Sequence, residues 1–156
     1  IYKVAYGVKS FYKAEDKDYT VAKLEGLWWV ESDRYGLDVP REEWHWKLLI
    51  RLPDFVTEAR VEEAAARALA KHPQADRIRQ VRFERLEEGK VVQMMHIGPY
   101  ATEPETLDVM HKFMEEQGLV VNGRHHEVYL SDPRKANSSN MRTILRQPVT
   151  VKNEPK

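Results

Sequence analysis

The sequence predicts an α+β fold: duplicated β-α-β-β modules with antiparallel sheets, helices on one face and a ligand groove on the other. Three observations carry this. Strand-like segments rich in aromatic and β-branched residues outnumber helical ones. Two segments, 57–71 and 104–118, have clear helical periodicity. The chain also echoes itself: KLLIRLP at 47–53 matches RTILRQP at 142–148, with the apolar core, the arginine and the proline in register. Upstream of each copy an aromatic strand runs into a Ser-Asp loop, LWWVESDR at 27–34 and VYLSDPR at 128–134. Two matches in the same order point to duplication within one domain spanning 1–156.

The elements follow in order. Residues 1–10 fit a helix end or a strand, and FYKAEDKDYT at 11–20 reads as polar loop. Residues 21–32 read as a strand interrupted by Gly26, a candidate bulge. A turn-rich loop follows to Glu43, and WHWKLLIRLP at 44–53 is a strand stopped by Pro53. Thr57 is placed to cap the helix over 57–71, which His72-Pro73 ends. Two strands, 78–86 and 90–97, are expected around a turn at Glu88-Gly89, and Gly98-Pro99 breaks the second. The helix over 104–118 stops at Gly118. HHEVYL at 125–130 and MRTILRQPV at 141–149 are the last two strands. The second half is thus a β-α-β-β module. The first half shows only the closing strands of such a module, and its own strand and most of its helix are expected to precede Ile1, so that the first module is truncated.

Composition narrows the function. Acidic and basic residues balance at 25 each in 156 residues. There is therefore no general electrostatic attraction to nucleic acid or anionic membranes. The absence of cysteine removes disulfides, thiolate nucleophiles and cysteine-based zinc sites. No apolar run approaches the ~18 residues of a membrane span, and no signal peptide is visible, so a cytoplasmic location is expected. No phosphate-cradling glycine loop, Gly-x-Ser-x-Gly elbow or HExxH spacing occurs, and no cofactor or metal is expected.

Strand alternation sorts the chemistry. His125, Glu127 and Tyr129 point one way, and His126, Val128 and Leu130 the other. Adjacent histidines on a strand face opposite sides, so His125 and His126 cannot chelate one ion together. Val128 and Leu130 suit the packed face, which leaves Glu127 and Tyr129 for the groove. Trp44 and Trp46 share a face. Trp28 and Trp29 do not, so at most one of them joins the groove, and a bulge at Gly26 would exchange them. Met94 and His96 share a face of their strand. Each tryptophan also fits plain core burial, and Glu127 fits a solvated surface charge. A carboxylate embedded among aromatic rings is, however, the composition of a small-molecule site.

The segment HIGPYATEPETLDVMHKFMEEQGLVVNGRHHEVYLSDP resembles the GyrI-like small-molecule-binding domain, which is also the effector-binding half of many AraC-type and MerR-type regulators. The shared pattern is a Gly-Pro-Tyr turn after a strand, a helix, a Gly-bounded loop, and a strand with a central glutamate ending at Asp-Pro. LEGLWW, HWKLLIRLPDF and VQMMHIGPY extend the likeness over most of 18–149 and resemble a stand-alone branch of the family. The resemblance implies a groove for flat, often cationic or lipophilic xenobiotics with Glu127 at its centre. It further implies hydrolytic opening of cyclopropane rings in DNA-alkylating natural products. In that chemistry water attacks the strained carbon, a conjugated dienone becomes a phenol, Glu127 serves as base, and Tyr129 or Tyr100 donates to the carbonyl. Trp28 or Trp29, with Trp44 or Trp46, would stack on the ligand, beside Met94 and His96. The alternative is a module that sequesters or senses the xenobiotic without turning it over.

Overall fold

The structure, a computed structural model, describes residues 1–32 and 38–152. The chain divides into two units, Ile1–Lys23 with Leu49–Leu86, and Leu24–Leu48 with Glu87–Lys156. Three α-helices and six strands among the described residues make the fold α+β, with an antiparallel sheet.

The first unit is helical. Helix α1 (Tyr2–Ala14) buries Val4, Val8 and Tyr12, four residues apart and so on one face. It therefore takes in the start of the stretch expected as polar loop. Helix α2 (Glu58–Lys71) buries Val61, Ala64 and Ala68. The two helices approach closely where Gly7 meets Ala64: a Cβ at Gly7 would lie 3.3 Å from the Ala64 Cβ. Val56 and Ile78 complete the core. Thr57 stands at the N-cap of α2 in extended conformation, but its side chain makes no capping bond. The Tyr12 hydroxyl does the bonding there instead, accepting from the Thr57 N–H at 3.2 Å and donating to the Phe55 carbonyl at 3.1 Å. The strand expected over 78–86 does not form. Residues 76–80 make a 3₁₀ turn, and the residues after it have no ladder partner. Their alternating apolar residues, Val81 and Phe83, pack against the helical core rather than on a sheet.

The second unit holds the sheet. Its strands are β1 (Leu24–Trp29), β2 (His45–Ile50, which crosses into the first unit at Leu49), β3 (Val91–Ile97), β4 (Leu119–Val121), β5 (His125–Tyr129) and β6 (Arg142–Val151). The order is β2-β1-β5-β6-β3, with β4 pairing β6. The β3-α3-β5-β6 module is present as expected, with α3 at Glu103–Glu116 and short β4 added after it. Gly118 ends the segment with a positive φ of 63°.

The order places β1 and β5 side by side, each flanked by the strand that follows it in sequence. This is what two copies of one motif related by a local two-fold would give. Ser32 and Ser131, matched in the sequence echo, are 99 residues apart, and so are Leu27 and His126, which are direct cross-strand partners. Strand β1 pairs with β5 without interruption from Glu25 to Trp28. Gly26 is thus no bulge, and the alternation of β1 holds.

Register then fixes the faces. Gly26, Glu127, Leu145 and Met94 form one cross-strand row, and Tyr129, Thr143 and His96 the next. Partners in a row point to the same side. His96 bonds to Thr106 on α3, so α3 lies on the face that carries Glu127. The expected arrangement had placed the groove on the face away from the helices. The helix packs over β3 and β4 and leaves the β5 and β1 part of the same face to Glu127, Tyr129 and Trp28. Fully buried Leu145 backs this face.

Among the described residues, no helix is long and apolar enough to cross a membrane.

Candidate functional site

The site grows from β5. Glu127 and Tyr129 are two residues apart on one face, and the Tyr129 hydroxyl donates to Glu127 Oε2 at 2.7 Å. The indole Nε1 of Trp28 donates to the Tyr129 oxygen at 2.9 Å. The Nε2 of His125, on the other side of Glu127, lies 3.2 Å from its Oε1. A chain of polar contacts thus runs Trp28–Tyr129–Glu127–His125, all on one face, as alternation requires. The Glu127 side chain is only 12% exposed. A carboxylate has about four lone-pair sites. Among the described residues two are used, which leaves room for water or ligand to bond.

Aromatic rings surround the carboxylate. Trp44 meets Trp28 edge-on with centroids 6.4 Å apart, and its Nε1 donates to the Val39 carbonyl at 3.1 Å. Tyr100 stands T-shaped on Tyr129 at 6.1 Å. Both are favoured aromatic geometries. Tyr100 is set there by His96. The His96 Nε2 faces the Pro99 carbonyl at 3.0 Å and therefore carries the hydrogen, while Nδ1 is hydrogen-bonded with the Thr106 hydroxyl at 2.8 Å. His96 is buried and holds the Gly-Pro-Tyr turn to α3.

Trp29 points to the opposite face, between the Arg124 guanidinium at 3.6 Å and the His45 ring stacked at 5.6 Å. Trp46, on β2, is 52% exposed. Met94 shares the Glu127 row but sits two strands away, about 10 Å at the usual strand spacing.

Two participants escape a reading of the sequence. The first is Gly26, paired with Glu127: a Cβ there would lie 2.8 Å from the Tyr129 hydroxyl and 2.9 Å from Trp28 Nε1. The second is Glu103, the first residue of α3. One of its carboxyl oxygens, Oε1, is buried with no hydrogen-bond partner among the described residues. Burial foremost, then the Glu127 charge, against the opposing pull of Arg41, pushes the Glu103 carboxyl up to about 8. The helix N-terminus favours the ionised form and works against this rise. The same neighbourhood keeps both phenols protonated. Burial and the Glu127 charge raise Tyr129, and burial followed by the charges of Glu103, Glu127 and Asp132 raises Tyr100.

The opposite face carries a separate polar network. His126, almost fully buried, sits between Glu25 Oε2 and Glu88 Oε1, each at 2.7 Å. Carboxylates only accept, so both ring nitrogens carry hydrogen and the imidazole is charged. Arg146 completes the network, bonding Glu88 at 3.0 Å and Gln93 at 2.9 Å. An open cleft of about 620 Å³ lies wholly within the first unit, between α1 and α2, and none of the residues gathered around Glu127 lines it.

A family model described as a GyrI-like small molecule binding domain matches residues 57–150. The chain belongs to this GyrI-like family. A solved structure of an uncharacterized conserved protein from Listeria innocua is 43% identical, with a TM-score of 0.86, over 96% of this chain and 76% of its own. Two further Listeria innocua structures are described as hydrolases. They are 42% and 43% identical, with TM-scores of 0.81 and 0.82, over 96% of this chain and 75% and 76% of theirs. No curated protein matches the chain. The GyrI-like assignment makes this a small-molecule-binding domain.

Proposed function

We propose that this GyrI-like protein binds flat, hydrophobic xenobiotics against the rings of Trp28, Trp44, Tyr100 and Tyr129 and hydrolyses those that carry a strained cyclopropane. The observation that supports this best is the Glu127 carboxylate, nearly buried among aromatic rings yet with lone pairs to spare. A water bonded to Glu127 loses its proton as its oxygen attacks the cyclopropane carbon. The ring carbon–carbon bond breaks, and its electron pair aromatises the conjugated dienone to a phenol. A positioned base contributes about 10²–10⁴-fold, enough for a substrate already electrophilic through strain. The hydrolase descriptions of the Listeria innocua structures accord with this reading.

Turnover tests it. The protein is mixed with an excess of a cyclopropane-bearing alkylator, and the ring-opened alcohol is followed by mass spectrometry. Product beyond one equivalent that falls at least ~10²-fold in Glu127→Gln is expected. Saturable binding without product would replace the hydrolase with a module that sequesters or senses its ligand.

A further inference from the structure

The reaction needs a proton donor at the carbonyl oxygen as well as a base at the water. Tyr129, the obvious candidate, is already committed. Its single proton goes to Glu127, and its oxygen accepts from Trp28. The imidazole of His125 faces the base itself. Tyr100 holds its proton more tightly than an ordinary phenol. A phenol of pKa ~10, such as the product would be, is a stronger acid than Tyr100 and would not draw its proton. The Glu103 carboxyl remains. It lies at the start of α3, three residues from Tyr100; it feels the Glu127 charge, and its own charge, when ionised, bears on Tyr100 and Tyr129. One of its oxygens is buried with nothing among the described residues to bond. An unsatisfied buried polar atom is costly unless a ligand completes it.

We propose that Glu103 is the acid of the Glu127 site, giving its proton to the substrate's carbonyl oxygen as the cyclopropane opens. This rests on the hydrolytic reading. Glu127 takes one proton from water, and the remaining hydroxyl forms the new carbon–oxygen bond. The ring bond's electron pair passes through the conjugated system to the carbonyl oxygen, which receives the Glu103 proton. The product is substrate plus one water. Glu127 ends protonated and Glu103 ionised, and exchange of protons with solvent resets both. Two carboxyls with environments that separate their protonation states are the usual means by which one site holds an acid and a base together. Burial and the Glu127 charge push Glu103 up to about 8, which favours its neutral form and leaves it acidic enough to protonate a phenolate. The proposal also specifies the ligand: a planar, uncharged compound with a conjugated carbonyl, rather than a cation, which would favour two ionised carboxylates.

The test uses the full chain and a synthetic cyclohexadienone spiro-fused to a cyclopropane, with affinity read from tryptophan fluorescence and turnover by mass spectrometry. Glu103→Gln keeps the shape and a hydrogen-bond donor but has no proton to give. It is expected to bind within about threefold of wild type while kcat falls ~10²-fold. Wild-type kcat should also fall as pH rises through about 8, and Glu103→Gln should lose that alkaline limb. The wild-type pH profile needs no variant to fold, and a profile flat through this range overturns the proposal. Turnover by Glu103→Gln at the wild-type rate overturns it too, leaving the hydrolytic reading intact. Binding without turnover by wild type overturns that reading and the acid role together.

Discussion

Gly26 and Glu127 are direct cross-strand partners, and the space a side chain would fill at Gly26 is occupied by the Tyr129 hydroxyl and the Trp28 indole nitrogen. The glycine is therefore the floor over which the Trp28–Tyr129–Glu127 chain closes. Gly26→Ala puts a Cβ 2.8 Å from that hydroxyl. Ring and indole must move apart, breaking the 2.9 Å bond between them. Overpacking of this kind costs about 1–3 kcal/mol. Chemical denaturation should show a loss in that range, and ligand affinity should fall about tenfold or more. An alanine variant with unchanged affinity would mean that the chain is not part of the binding surface.

Tyr129→Phe separates the hydroxyl from the ring. The T-shaped contact with Tyr100 survives, while Glu127 Oε2 and Trp28 Nε1 each lose a partner. Each unsatisfied group costs about 1–3 kcal/mol if water cannot replace the lost bond. The expected result is a drop in stability of a few kcal/mol, with turnover reduced because Glu127 is no longer held from one side. Equilibrium unfolding and steady-state kinetics on the same preparation separate the two effects.

The paired tryptophans make opposite predictions. Trp28 shares the face of Glu127 and bonds to Tyr129, whereas Trp29 is held between Arg124 and His45 on the other side. A stacked aromatic is worth about 0.5–1.5 kcal/mol beyond its buried area. Trp28→Leu should weaken binding of a planar ligand by about tenfold, and Trp29→Leu should leave it within about twofold. Fluorescence titration of both variants decides the matter, and the reverse ranking would place the ligand on the opposite face.

Much of this was legible in the sequence, and what was not has a physical reason. Alternation alone paired Glu127 with Tyr129 and separated the two histidines, because β5 pairs with β1 and β6 without a bulge and so keeps its period of two. The same rule left Trp28 and Trp29 open until the register of β1 removed the bulge at Gly26. The segment 78–86 misled because alternating apolar residues serve a helical core as well as a sheet, as Val81 and Phe83 do. Glu103 was invisible for a different cause. An acid on the first turn of a helix is what the helix dipole favours, so nothing in the sequence separates a solvated helix-start acid from a buried one. His126 was read as facing away from Glu127, which it does, but the helix lies on the Glu127 side, and the distant Glu25 and Glu88 that turn His126 into a buried cation are joined to it only by the fold.

That buried cation sets a pH dependence whose sign follows from the geometry. Burial lowers the His126 pKa, but the hydrogen bonds and charges of Glu25 and Glu88 outweigh it, so the folded value lies above the ordinary one. The folded state then holds a proton that the unfolded chain releases at lower pH. Stability from this network is fully present below the unfolded value of about 6.5 and is lost as pH rises through the raised folded value. Denaturation midpoints measured at steps from mildly acidic to alkaline pH should therefore decline on the alkaline side. His126→Gln, which carries no proton to release, should be less stable at neutral pH and show a flatter profile over the same range. Breaking a buried pair costs about 3–5 kcal/mol, and Glu88 keeps its bond to Arg146 as partial compensation. The loss should therefore fall at or below the lower end of that range. A variant that keeps the wild-type slope would show that another group, and not His126, carries the titration.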